Sequence, residues 1–415
     1  MKYLYSFIIF LVGTILKILA VFDKKLALFV NGRKHTFSRL ASEIHPGDKT
    51  IWFHCASLGE FEQGRPIIEK LRKSQPSYKI VLSFFSPSGY EVRKDYREVD
   101  LVVYLPMDTA SNAKKFVDLL QPSLAIFVKY EFWPNILSEL KSNSIPTILV
   151  SGVFREDQIF FKPYGGWMKK SLSSFSHFFL QNRKSQELLR NIGFNNSSIS
   201  GDTRFDSVYN ILEQENKLDF LEDFTKGNQV LVAGSTWPID ETYLTSFLNM
   251  KHPENFRCII APHNIHPKEI KKLKKSLHLK TALYSDGVID NSAKVFIADT
   301  VGILTKIYSY ADMAYVGGGF DKEGVHNVLE PAVFGIPLVI GPIYDKFEEA
   351  KELVALEGCL VAKDDIQLFD HLNELNKNKA YRNKIGEIAG SYIKNNLGAT
   401  QIILDYIELQ LRDNS

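Results

Sequence analysis

The sequence predicts an α/β protein with two doubly wound, Rossmann-like parallel-sheet domains in tandem, preceded by an apolar N-terminal helix. Short apolar, strand-like runs alternate with amphipathic helical stretches, the pattern of parallel strands joined by crossover helices. The alternation is interrupted once, by a polar and charged stretch over residues 207–228, and then resumes. A length of 415 residues suits two domains of ordinary size.

Residues 3–22 form an apolar run with a single charge, Lys17. A helix of that length spans ~30 Å, the thickness of a hydrocarbon core. No small-residue cleavage site precedes Asp23-Lys24-Lys25, which argues against a removable signal peptide. Ser6, Gly13, Thr14 and Lys17 interrupt the run, a pattern that also fits a helix lying in the membrane plane. The expectation is an anchor over residues 1–25 that spans or inserts deeply and stands apart from the strand series. Lys24, Lys25, Arg33 and Lys34 follow it, which places the body on the cytoplasmic side. The first 50 residues carry eight Lys/Arg against three Asp/Glu, while the chain as a whole is at +2. Such a basic end suits an anionic membrane surface, and no nucleic-acid partner is expected.

The first domain is expected over 26–206, with strands at 51–55, 80–85, 101–105, 124–128 and 147–150. Helices at 60–73, 113–120 and 136–141 lie between them. Residues 207–228 read as helix plus linker. The second domain is expected over 229–395, with strands at 230–233, 258–261, 295–298, 313–316 and 337–340, and an amphipathic helix closes the chain over 396–415. Open sheets of this kind bind ligands beyond the carboxyl ends of their strands, so two facing domains would make a cleft.

Cys55, Cys258 and Cys359 are odd in number and widely spaced, which suits a reducing compartment rather than a disulfide framework. Cys258, His263 and His266 lack a second ligand pair at a familiar spacing, so no metal site is assigned.

The unusual residues fall after the expected strands. Ser57-Leu58-Gly59-Glu60 follows the first: Gly59 permits a tight turn, and Glu60 is either a helix-dipole complement or a general base. In Lys129-Tyr130-Glu131-Phe132-Trp133-Pro134-Asn135, Glu131 either caps the next helix or faces the same cleft as Glu60. Arg204, in Gly201-Asp202-Thr203-Arg204-Phe205-Asp206, could meet a phosphate or carboxylate bidentately, or form an interdomain ion pair. Ser235 and Thr236, before Trp237-Pro238, suit phosphate binding on free backbone N–H groups or a plain helix cap. Gly317-Gly318-Gly319 allows close backbone approach to a ligand. Asn327 and Glu330 share a helix face if the segment is helical, and Glu330 could accept ribose hydroxyls. No Asp-x-Asp triplet occurs anywhere, so helix N-termini and cationic side chains are expected to meet the leaving-group charge without metal or other cofactor.

In this order and over nearly the whole chain, these motifs resemble the 3-deoxy-D-manno-octulosonic acid (Kdo) transferases. The resemblance implies a GT-B fold, CMP-Kdo as donor, and the acylated, sugar-headed precursor of lipid A as acceptor at the cytoplasmic face of a bacterial inner membrane. It matches Glu60 to the general base, and Glu131 and Arg204 to transition-state stabilisation. Pro262 and His263, Gly302, Ile303 and Leu304, and Asn327, Val328, Leu329 and Glu330 match segments that hold CMP. Ser57, Gly59, Ser235, Thr236, Gly318 and Gly319 complete the candidate substrate-binding set. The chain departs from the family where Pro262-His263-Asn264-Ile265-His266-Pro267 replaces a Pro-Arg-His-Pro run, where Arg204 replaces a lysine, and where Ile303 replaces an acid. Competing readings are another GT-B glycosyltransferase, a nucleotide-sugar epimerase, or a tethered nucleotide-binding scaffold.

Overall fold

A computed structural model describes residues 2–287, 290 and 292–413. The chain forms two compact units, Met1–Ser207 with Leu397–Ser415, and Val208–Asn396.

In the first unit seven parallel strands are formed by β1 (Thr50–Cys55), β2 (Lys79–Phe84), β3 (Leu101–Tyr104), β4 (Leu124–Val128), β5 (Thr147–Gly152), β6 (His177–Leu180) and β7 (Ser197–Ile199). Their order is β3-β2-β1-β4-β5-β6-β7. Side chains alternate along each strand, so the sheet supplies a core on each face. Trp52, Val81 and Phe127 enter one core, and Ile51, Phe53, Cys55 and Val128 the other. The second unit has β8 (Gln229–Thr236), β9 (Phe256–Pro262), β10 (Thr281–Leu283), β11 (Val295–Ile297), β12 (Met313–Val316), β13 (Leu338–Ile340) and β14 (Cys359–Val361). Its order is β10-β11-β9-β8-β12-β13-β14. Each chain path leaves a central strand in one direction and returns on its other side. The reversal falls between β1 and β4 in the first unit and between β8 and β12 in the second. Crevices for ligands open at such points.

Three expectations are corrected. First, the N-terminal run is not a spanning anchor. Its helix is Lys2–Leu19, and among the described residues no helix is long and apolar enough to cross a membrane. The helix stops because Asp23 starts another, Lys24–Arg33, by accepting the Leu26 N–H at 2.8 Å. Nor does it stand apart from the strands. The Tyr5 hydroxyl donates to Asp108 at 3.0 Å, and Asn135 Nδ2 donates to Ser6 Oγ at 3.0 Å.

Second, the closing helix, Ala399–Asp413, is not a separate segment. Its apolar stripe of Ile403, Leu404, Ile407 and Leu411 completes the core on the Ile51 face of the first sheet. Asp206 ties down its start by accepting the Gly398 and Thr400 N–H groups at 2.7 and 2.6 Å. Third, residues 207–228 contain the expected helix, but it belongs to the second unit and not to a linker. Helix Asp219–Thr225 packs Leu221 and Phe224 inside the second unit. Strands β6, β7, β10 and β14 were not foreseen, being only three or four residues long.

Candidate active site

Glu60 and Glu131 lie just beyond the carboxyl ends of β1 and β4, the strands on either side of the first unit's reversal. Ser57 caps helix Leu58–Ser74, and Glu60 occupies its third position. Glu60 Oε2 accepts the Ser57 N–H at 3.0 Å and also the Ser57 hydroxyl. The helix-capping role is therefore present, and it fixes the half-buried carboxylate at the mouth of the strand. Gly59 is exposed beside it.

Glu131 neither caps the next helix nor stands open to solvent; it is only 8% exposed. The cap of helix Pro134–Ser142 is Asp108, which accepts the Asn135 and Ile136 N–H groups at 3.0 and 2.9 Å. Glu131 Oε2 instead lies 3.1 Å from His54 Nε2 and 2.7 Å from the donating Trp133 Nε1. The charges of both Glu60 and Glu131 act on the Cys55 thiol, whose pKa is pushed up first by burial and then by these carboxylates. Arg204 pairs within its own segment. It is clamped by Asp202, two residues earlier, through Nε at 2.9 Å and Nη2 at 2.8 Å. Glu60, Arg204, Asp202 and Arg155 all act electrostatically on the Tyr130 hydroxyl, whose pKa is raised mainly by burial. Glu60 and Arg204 thus belong to one cluster.

Two residues here, Lys129 (φ 69°) and Ser151 (φ 51°), adopt the left-handed region at the ends of β4 and β5. Non-glycine residues rarely do so, and the strain they store is common at functional sites.

In the second unit, the loops after β8 and β12 interlock. Trp237, not Ser235 or Thr236, precedes helix Pro238–Leu248, so the plain-cap reading of those two residues fails. Ser235 is left-handed (φ 54°), and Thr236 Oγ1 donates to Glu241 at 3.2 Å. Asp240 is fully buried, and its Oδ2 accepts the Trp237 and Gly318 N–H groups at 2.8 and 2.9 Å. A side chain at Gly317 would run into Ser235 O, and a Cβ at Gly319 would lie 2.6 Å from Gly341 N. Only glycine lets these backbones meet. Gly318 also has φ +92°.

Pro262 ends β9, and exposed His263 follows. Its ring stacks on Trp237 (centroids 4.7 Å) and His326 (4.6 Å). Trp237 Nε1 donates to His326 Nε2 at 2.7 Å. Burial, then His263, lowers the His326 pKa to about 4. Glu330 accepts Thr305 Oγ1 on Oε2 at 3.0 Å and Asn327 Nδ2 on Oε1 at 2.9 Å. Asn327 lies ahead of the short helix Leu329–Ala332, yet the pair still meets. Val328 and Leu329 are buried beneath it. Gly302 and Ile303 lead into helix Leu304–Ile307, which carries Thr305. Among the described residues, no three His, Cys, Asp or Glu side chains are grouped to hold a metal ion.

His54, Trp133, Asp202, Asp240 and Trp237 were not singled out from the sequence. Two had a signal. His54 interrupts an apolar strand, and Asp240 stands at the third position of a helix opened by proline.

A family model described as 3-deoxy-D-manno-octulosonic-acid transferase matches residues 31–207, which lie within the first unit. The chain is 29% identical over 353 residues to a 3-deoxy-D-manno-octulosonic acid transferase of Aquifex aeolicus, covering 83% of this chain and 92% of that one. It is 27% identical to the enzyme of that name from Haemophilus influenzae, covering 89% of each. Among solved structures, a UDP-GlcNAc 2-epimerase from Neisseria meningitidis superposes with a TM-score of 0.60 at 14% identity, over 86% of this chain and 99% of that one. That likeness shows the fold alone, a pair of parallel-sheet α/β halves. Over most of its length the chain is similar to 3-deoxy-D-manno-octulosonic acid transferases, and these matches indicate a glycosyltransferase.

Proposed function

We propose that the protein transfers Kdo from CMP-Kdo to a sugar hydroxyl of the acylated lipid A precursor in lipopolysaccharide assembly. The observation that carries this reading is the placement of Glu60 at the first unit's strand reversal, held at a helix start with Arg204 in the same cluster. Glu60 takes the proton of the acceptor hydroxyl as its oxygen bonds to the anomeric carbon. The bond from that carbon to the CMP phosphate oxygen breaks, and CMP leaves with the electron pair. Arg204, immobilised by Asp202, offers a fixed positive charge to the anion that develops. Glu131 acts as a second oriented carboxylate.

In the second unit, backbone N–H groups at the start of helix Pro238–Leu248 would meet the phosphate, and Glu330 the ribose hydroxyls. Pro262, His263 and the segments at Gly302–Leu304 and Asn327–Glu330 complete this nucleotide site. We expect transfer to need no metal ion. Incubation with CMP-Kdo and lipid A precursor, and separately with UDP-GlcNAc, tests the reading. Kdo-modified lipid is expected. Epimerisation of UDP-GlcNAc without Kdo transfer would overturn it.

We further propose that helix Lys2–Leu19 lies in the plane of the membrane surface, with the body on its cytoplasmic side. Phe7, Phe10, Leu11, Ile15 and Ile18 are exposed on it, an apolar face of a kind that marks an interaction surface. Lys24 and Lys25 follow, each worth about 1 kcal/mol toward anionic lipid. Phe7→Glu with Phe10→Glu should abolish flotation with anionic vesicles, and unchanged flotation would refute this seat.

A further inference from the structure

The sheet beneath Glu131 contains a polar chain that the mechanism above does not use. Trp52 and His54 lie two apart on β1, so they share a face, and both rings are fully buried. Trp52 Nε1 donates to Ser83 Oγ at 2.8 Å. Ser83 Oγ in turn lies 2.9 Å from His54 Nδ1. Nδ1 also lies 3.2 Å from the Ser83 carbonyl oxygen, so both oxygens of Ser83 hold that side of the ring. On the other side Nε2 faces Glu131 Oε2 at 3.1 Å, and an ionised carboxylate only accepts, so the N–H of this contact belongs to the imidazole. Trp133 Nε1 donates to the same oxygen at 2.7 Å and also lies 3.0 Å from His54 Nε2, so the three groups meet at one point. The contacts are continuous from Trp52 through Ser83 and His54 to Glu131. Buried polar groups held this way specify one geometry.

We propose that His54 is a positioning residue for sugar transfer: its Nε2–H, oriented through Ser83 and Trp52, holds the Glu131 carboxylate in its working orientation. The proposal rests on the reading of Glu131 given above. His54 itself meets no substrate, because it lies within the sheet at 0% exposure. The two donors converge on Oε2, so Oε1 is the oxygen presented to the reacting groups. Losing one donor would let the carboxylate turn, and catalytic groups tolerate little misplacement.

The test compares His54→Leu, His54→Gln and Glu131→Gln with wild type, and adds the double variant His54→Leu/Glu131→Gln. Each is assayed for kcat, for KM toward CMP-Kdo, for CMP affinity and for melting temperature. His54→Leu should lower kcat roughly ten- to a hundredfold, with KM and CMP affinity nearly unchanged. His54→Gln, which can place an N–H near the Nε2 position, should recover most of that loss. In the Glu131→Gln background, His54→Leu should cost almost nothing more. Undiminished kcat in folded His54→Leu overturns the proposal. So does an equal loss in both backgrounds, since His54 would then act independently of Glu131. Full turnover in Glu131→Gln would sink the reading of Glu131 itself, and so separates the two failures. Should His54→Leu fail to fold, Ser83→Ala carries the same comparison, because it removes the hydroxyl that joins Trp52 to Nδ1 and leaves His54 and Glu131 in place.

Discussion

The loops after β1 and β4 present side chains, whereas those after β8 and β12 present backbone. In the first unit, Glu60, Glu131 and Arg204 are each held by a dedicated partner: Ser57, the His54–Trp133 pair, and Asp202. In the second, glycines let three segments approach within contact distance, and a buried Asp240 fastens the Gly318 and Trp237 amides together. Both sites sit at the same topological point of the same type of sheet. On the function proposed, the difference lies in what each must handle. Proton transfer needs ionisable groups fixed in direction, while a nucleotide needs close approach of amides with a few hydroxyl acceptors.

The sharpest way to break this comparison is to remove chemistry from the first unit without disturbing its frame. Glu60→Gln does so, because glutamine at the third helix position still caps Ser57. Turnover should fall by ~10²–10⁴, the usual worth of a general base, with the melting temperature unchanged. Near wild-type turnover would refute the role of Glu60.

The converse change belongs to the second unit. Glu330→Ala removes the acceptor of the Thr305 and Asn327 bonds and of the proposed ribose contact. The dissociation constant for CMP should rise by about 1.5–3 kcal/mol, the value of charge-assisted hydrogen bonds. Asn327→Ala should cost less. Calorimetric titration decides, and wild-type affinity in Glu330→Ala would make that residue purely structural.

The smallest expected effect is on pH dependence. His326 has a pKa lowered from 6.5 to about 4 in the folded chain. Between those values the unfolded state binds more protons, so stability rises with pH there. The contribution is whole above about pH 6.5 and is lost as pH falls toward 4. Solvent around the half-exposed ring reduces it to roughly 1–2 kcal/mol. Urea unfolding of the second unit at pH 7 and pH 5 should show this loss in wild type and less of it in His326→Gln. Equal pH dependence in the two would contradict the assignment.

How much was legible follows from what each feature depends on. The central strands announced themselves as apolar runs, and the residues after them were conspicuous because they broke the pattern. The missed strands were too short to stand out; β7 is Ser197–Ile199. Glu60 and Glu131 were found, but not what holds them. Trp133 bonds Glu131 only after the chain turns, and His54 is 77 residues away. Arg204 invited a distant partner, and the clamp by Asp202, two residues off, was not foreseen. The N-terminal run read as a spanning segment from its composition. Its contacts to Asp108 and Asn135, more than 100 residues away, left no trace in local pattern. Those contacts also mean that deleting the helix would disturb the start of helix Pro134–Ser142, so point changes on its exposed face are the cleaner probe.

The division of labour is tested most directly by titrating CMP into Glu60→Gln under the conditions in which its turnover is measured. The account predicts a dissociation constant within about twofold of wild type while turnover is lost. Affinity that falls in step with turnover would contradict it, because Glu60 would then belong to nucleotide binding and not to the chemistry.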